Sequence, residues 1–462
     1  MTSVSMRDPL VNRPLVQAHL VAGFGWFLVG ISAGLLFSTQ FVQHYLLPGM
    51  EVLSPGRVRM VHTHLVAFGF IMNCLLGAMI WAIPRLTGQR ILSDTLGWLI
   101  FWVWQGIMVA ATGGILMGQA QAVEWGENPT WIDPFVVVGW VLVVTNLATP
   151  ILRSRERNMY VSLWYFMSAF VWTALTYVMG NFFPQYWVPG VAGAAVGGLY
   201  IHDLVGLFVT PIGWGLMYYF VPIILKRPIW SHAMSLIGFW GLAFFYPLNG
   251  VHHYLYSPIP MYVQYGAVVS TVAVEFVVTT VVINFFMTSR FDFDKLRTNL
   301  PIRWFYTGMI LYFITCLQCA FQTTLSFQKI IHFTDWVVAH AHLVMFGVFS
   351  FWIFGMIVHL WPKLTGREWA SKRLNELHYW FSMIGLVVMF LDLTIAGLIQ
   401  GYSWAALSMW EESLIASMPF WWVRVFSGLM ISAGAICLLA NMLATWKRPG
   451  LAYHPELEPA TT

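Results

Sequence analysis

TDWVVAHAHLVM, residues 334–345, places His340 and His342 two positions apart inside an apolar run. Helical residues advance by about 100° each, so positions two apart point to nearly opposite sides of a helix. One helix therefore offers an imidazole to each of its two flanks. A polar ring inside an apolar span costs free energy unless it has a partner. Two such rings in one span call for something to bind on both sides.

The surrounding composition says what kind of span this is. Of 462 residues, 59% are hydrophobic and only 9% are charged, which is not the balance of a soluble globular chain. Apolar runs recur at membrane-spanning length. The sequence predicts an all-α integral membrane protein with twelve transmembrane helices, at 17–47, 58–84, 93–118, 134–152, 160–182, 192–225, 232–253, 262–289, 302–326, 336–362, 377–400 and 418–446. No soluble domain, low-complexity segment or nucleotide-binding loop interrupts them, so 1–462 reads as a single transmembrane domain. Residues 1–16 are polar and lack a cleavable signal pattern, so they are expected to stay as a cytoplasmic N-terminus. Residues 447–462 read as a frayed cytoplasmic tail.

Charge supports that orientation. With the N-terminus in the cytoplasm, 19 basic residues fall on the inner side and four (Arg57, Arg59, Lys329 and Arg424) on the outer side. The net charge of +4 follows from this bias and gives no reason to expect a nucleic-acid partner. The cysteines Cys74, Cys316, Cys319 and Cys437 all fall in predicted helices. Cys316 and Cys319 form a CxxC, but Ala320 follows where c-type heme attachment requires histidine, so they read as structural.

Fourteen histidines are present. His19, His44, His232, His359, His378 and His454 are scattered near helix ends and read as interfacial or solvated rings. The others concentrate. His62 and His64 open the second helix, His202 lies in the sixth, His252 and His253 end the seventh, and His332 precedes the tenth, which carries His340 and His342. The charge-based topology puts all of these in the outer half of the membrane. A lone intramembrane histidine is ordinarily a satisfied helix–helix hydrogen bond. An HH pair and HxH motifs at one depth point instead to metals. Imidazole suits iron and copper alike, and heme iron takes two axial histidines for electron transfer or one when a site stays open. His340 and His342 can serve two hemes. One of these needs a second ligand, for which His62 is the candidate. His202, His252 and His253 remain as three imidazoles without a carboxylate, a donor set suited to copper. Tyr246, six residues before His252, is positioned to offer a phenol to the same pocket.

These motifs resemble those of subunit I of the heme–copper oxidase superfamily, and within it the cbb3-type cytochrome c oxidase catalytic subunit. The likeness is carried by GRVRMVHT (56–63), YIHDLVG (200–206), MYYFVP (217–222), FWGLAFFYPLNGVHH (239–253), DKLRT (294–298) and HFTDWVVAHAH (332–342), in that order. The resemblance implies a twelve-helix heme–copper oxidase fold in a bacterial inner membrane. His62 and His342 would be the axial ligands of low-spin heme b, and His340 the proximal ligand of heme b3. His202, His252 and His253 would hold copper. Tyr246 would be the active-site tyrosine, cross-linked to His202. Arg57 and His332 would meet heme propionates, and Glu124, with Glu127 nearby, would bind a calcium ion. Tyr218, Ser235 and Tyr312 would line a proton path from the cytoplasm. Three positions depart from the family pattern: His64, Asp203, and Gln318 in place of a glutamate near the proximal histidine. A neutral amide at 318 should raise the potential of that heme.

The implied activity is reduction of O2 to water, coupled to proton translocation. The chain has no CxxCH and no copper-dimer motif, so membrane-anchored c-type cytochrome subunits are the expected electron donors. Two alternatives use the same residues differently. A nitric oxide reductase would hold non-heme iron, with a glutamate four residues after the helix-six histidine and no tyrosine; here that position is Gly206 and Tyr246 is present. A bis-heme electron carrier would leave His202, His252 and His253 idle.

Overall fold

The computed structural model describes residues 8–43, 47–156 and 158–447. Arg7, His44, Arg157, Arg448, His454 and the remainder of both termini lie outside the described residues. Twelve helices are long and apolar enough to cross a membrane: α1 Arg13–Val42, α2 Pro55–Thr87, α3 Asp94–Leu116, α4 Thr130–Leu152, α5 Val161–Trp187, α6 Gly190–Leu225, α7 His232–Tyr254, α8 Met261–Ser289, α9 Leu300–Gln322, α10 Asp335–Thr365, α11 Lys372–Ala405 and α12 Trp410–Lys447. The boundaries fall where end chemistry dictates. Asn12 caps α1, accepting from the Leu15 amide at 3.1 Å. Ser93, Ser231, Asn299 and Ser371 cap α3, α7, α9 and α11 in the same way.

Successive helices pack against each other, and α1 closes the bundle against α12. Three helices stand apart. In α2, α6 and α10 the most apolar windows are 94%, 94% and 89% buried, against 28–56% elsewhere, and these three also touch one another. They form the centre, and they carry five of the clustered histidines. Each contains a π-helical stretch just past its histidines: Leu65–Ile71, Leu204–Val209 and Leu343–Ser350. The wider turn re-aims side chains, and such turns recur at functional sites.

The entry of α10 is pinned. Asp335 opens it and accepts hydrogen bonds from Gln400 Nε2 (2.7 Å) and Trp421 Nε1 (2.8 Å). Gly397 and Gly401 let α11 approach; a Cβ at either would overlap the backbone of Trp336 or Ile330. Arg424, counted among the outer-side charges, is buried within α12, 3.9 Å from Asp335 at the start of α10. The scattered histidines also need correction. His19 and His378 are fully buried rather than interfacial, bonded through Nδ1 to Asn73 Oδ1 and to the Gly434 carbonyl.

Candidate metal centre

The first pair of rings is His62 on α2 and His342 on α10. Their centres are 6.2 Å apart. A metal between two imidazoles, with metal–nitrogen bonds of about 2 Å, puts the ring centres roughly 6 Å apart. Each ring is oriented from behind. His62 Nδ1 donates to the Gly30 carbonyl and His342 Nδ1 to the Val338 carbonyl, both at 2.8 Å. Donating Nδ1–H fixes the tautomer and leaves the Nε2 lone pair for a metal. Gly34 makes room for this; a Cβ there would lie 2.5 Å from His62 Nδ1. His64 points elsewhere. It is buried at the wall of an apolar cavity, with Phe68, Trp104, Trp140 and Phe208. The two histidines of α2 therefore separate as helical geometry requires.

The second group lies across α10. His340 Nδ1 is 3.3 Å from Gln318 Oε1, and Nε2 is 3.2 Å from Gln322 Nε2. His202 Nδ1 faces His253 Nε2 at 3.1 Å, and the His202 and His252 ring centres are 4.3 Å apart. His252 and His253 occupy a 3-10 turn, Gly250–Tyr254, because Pro247 ends the regular helix. Thr271 on α8 sets the tautomer of His252. Its hydroxyl donates to the Ala267 carbonyl at 2.7 Å, so it accepts from His252 Nδ1, also at 2.7 Å. His252 Nε2 is left buried with no partner. Tyr246 lies nearly parallel to His202, with ring centres 4.8 Å apart. Its ring fills the space above Gly206, where any Cβ would overlap it. One neighbour was not legible as such: Cys319 Sγ falls within 4.8 Å of ligand atoms of His202 and His252.

Away from the histidines, Asn284 of α8 joins two of the predicted hydroxyls. Its Nδ2 donates to Ser235 Oγ (3.0 Å) and to Tyr218 Oη (3.3 Å). Tyr312 sits apart from them, against Trp214 and Trp352. At the histidine-bearing end, Arg57 Nη1 donates to the Leu116 carbonyl at 3.0 Å. His332 packs on Phe333 beside the backbone of His253. Glu124 is half-exposed and paired with Arg59 at 3.2 Å. Glu127 is the buried carboxyl of that loop, with neither oxygen hydrogen-bonded, and burial pushes its pKa up to about 7.

Both clusters fit bound metals. Nδ1 is engaged in His62, His342, His340 and His252, and His252 Nε2 is buried without a partner, which only a metal or a further donor would satisfy. Residues 14–430 match the model of the family described as "Cytochrome C and Quinol oxidase polypeptide I". The chain is 29% identical to cytochrome c oxidase subunit 1 of Rhodobacter capsulatus, covering 96% of this chain and 88% of that one. It is 27% identical to the cbb3-type cytochrome c oxidase subunit CcoN1 of Stutzerimonas stutzeri, covering 96% and 97%. It is 23% identical to a nitric oxide reductase chain of the same organism, covering 98% of both. A solved heme–copper terminal oxidase dimer has the same fold, with a TM-score of 0.79 at 12% identity over 95% of this chain and 84% of that one. Twelve spans around a histidine-bearing α2, α6 and α10, together with a family match over nearly the whole chain, make this a heme–copper oxidase subunit I, a multi-pass membrane protein of an oxidoreductase family.

Proposed function

We propose that this chain is the catalytic subunit of a terminal respiratory oxidase that reduces O2 to water and couples the reaction to proton translocation. The observation that carries this over nitric oxide reduction is Tyr246 seated on Gly206. A glutamate at 206 would have to displace that phenol, whereas three imidazoles without a carboxylate suit copper. His62 and His342 would hold low-spin heme b, His340 heme b3, and His202, His252 and His253 the copper. These groups, when bound, supply dioxygen binding and the electrons for its reduction.

The chain's own residues do the rest. The segment His340–Ala341–His342 links the two sites, so electrons cross α10 through a few covalent bonds. Gln318 accepts from His340 Nδ1 and so fixes its tautomer, leaving on Nε2, which Gln322 Nε2 meets at 3.2 Å, the lone pair that would take the iron. Tyr246 is placed to release a proton from its phenol, and a cross-link to His202 would hold it in register. Tyr218, Asn284 and Ser235 form a proton entry on the cytoplasmic side, with Tyr312 above them. Arg57 and His332 are placed to meet heme propionates, Arg57 by charge. Glu127, rather than the paired Glu124, is the carboxyl better placed to take a calcium ion. Partner c-type cytochrome subunits would donate the electrons in a bacterial inner membrane, both termini would be cytoplasmic as the 19-to-four bias in basic residues supports, and 1–462 would act as one catalytic domain.

Tyr246→Phe tests the reading. It should keep both hemes and the copper while turnover falls by about 10²-fold, the scale of losing a positioned proton donor. Oxygen consumption within twofold of wild type would contradict it.

A further inference from the structure

Glu275 occupies the midpoint of α8, fourteen residues from either end of Met261–Ser289. An ionisable residue at that depth is costly and ordinarily functional. Its Oε2 is sealed from solvent with no hydrogen-bond partner among the described residues. Around it α8 packs on both α7 and α9, and Ser270 Oγ, five residues earlier, donates to the carbonyl of Phe245, the neighbour of Tyr246; the charge of Glu275 reaches Cys316, Cys319 and Tyr312 on α9 and Tyr246 on α7. One turn towards the outer face of the same helix, Thr271 holds His252. Nine residues the other way, Asn284 holds Tyr218 and Ser235. Beside Tyr218 of that inner cluster lies a small cavity also lined by Trp214, Val281, Thr288 and Met309. Trp214 packs edge-on against Tyr312 at 5.9 Å, and its Nε1–H is buried without a partner. A cavity with a free donor and two hydroxyls can hold ordered water.

We propose that Glu275 is the proton-relay carboxyl that links this inner cavity to Tyr246. The role rests on the oxygen-reductase reading. The carboxylic O–H bond breaks as its proton passes, by way of one water, to the oxygen of the Tyr246 phenolate. The carboxylate then regains a proton from the Tyr312 side, supplied by water entering past Tyr218. No electron enters or leaves the side chain, and each cycle moves one proton outward from the cytoplasmic side.

The test uses purified holoenzyme of wild type, Glu275→Gln and Glu275→Asp. Heme and copper content are measured, with oxygen consumption and the infrared difference spectrum on reduction. The expected result is Gln with full metal content, turnover lowered at least tenfold and a lost carboxyl band, and Asp restoring both in part. Gln turning over within twofold of wild type, or losing copper along with activity, overturns the relay. So does an unchanged carboxyl band. If wild type consumes no oxygen, the oxygen-reductase reading fails, and the infrared band alone then decides whether Glu275 exchanges protons when the metals are reduced.

Discussion

Gly206 is where one missing side chain settles the chemistry of a pocket. The Tyr246 ring occupies the volume a Cβ would take, and Tyr246 in turn lies along His202. Gly206→Ala should therefore disturb Tyr246 before anything else, with an overpacking cost of about 1–3 kcal/mol. The expected outcome is a normal low-spin heme spectrum with turnover reduced at least tenfold. Unchanged turnover would mean that the phenol can move without consequence. Similar reasoning separates the histidines. Helical geometry made His340 and His342 diverge, and that was legible from their spacing alone. Which of His62 and His64 faces α10 was less so, because both are two-apart neighbours in one helix. The structure separates them through Gly34 and the Gly30 carbonyl, both on α1 and invisible in the HTH motif itself. Likewise, His19 and His378 lie near chain positions that read as helix ends. They are buried because α1 and α11 continue past them against neighbours that no local pattern names.

Elements set the tautomers. Thr271 spends its only proton on the Ala267 carbonyl, so its oxygen accepts from His252 and fixes which ring nitrogen is free. Thr271→Val should weaken copper retention about 10–100-fold, the usual cost of removing such a supporting bond, and Thr271→Ser should recover it. Equal copper content in the Val variant, by metal analysis after chelator challenge, would remove Thr271 from the account. The loop between α3 and α4 offers a pH test. Burial raises the Glu127 pKa from 4.5 to about 7, so the native state binds this proton more tightly than the unfolded chain does. Its contribution to stability is full below pH 4.5 and is lost as pH rises through about 7, on the order of 3 kcal/mol in all. In calcium-free enzyme, thermal stability should fall between pH 5 and 8 in wild type, and this slope should flatten in Glu127→Gln. An identical slope in both would place the titration elsewhere. Asn284 and Thr271 were not singled out from the sequence. A polar residue in an apolar helix is visible there, but its partners on α6 and α7 are set only by packing.

Across the whole molecule, the recurrence of apolar runs made twelve helices legible, because the bilayer fixes span length. The ends of α1 and α12 moved by up to eight residues, since caps and helix pairing rather than hydropathy decide where a helix stops. That α2, α6 and α10 form the centre was not readable from hydropathy, which rates other spans just as apolar. Their shared burial is what brings histidines from distant parts of the chain to two adjoining sites. Those sites are expected to hold two hemes and one copper, and metal analysis of the purified chain tests this most directly. Two heme irons and one copper per chain, with no third iron, is the predicted result. Three irons and no copper would make the centre that of a nitric oxide reductase, and two irons alone would contradict a two-metal pocket altogether.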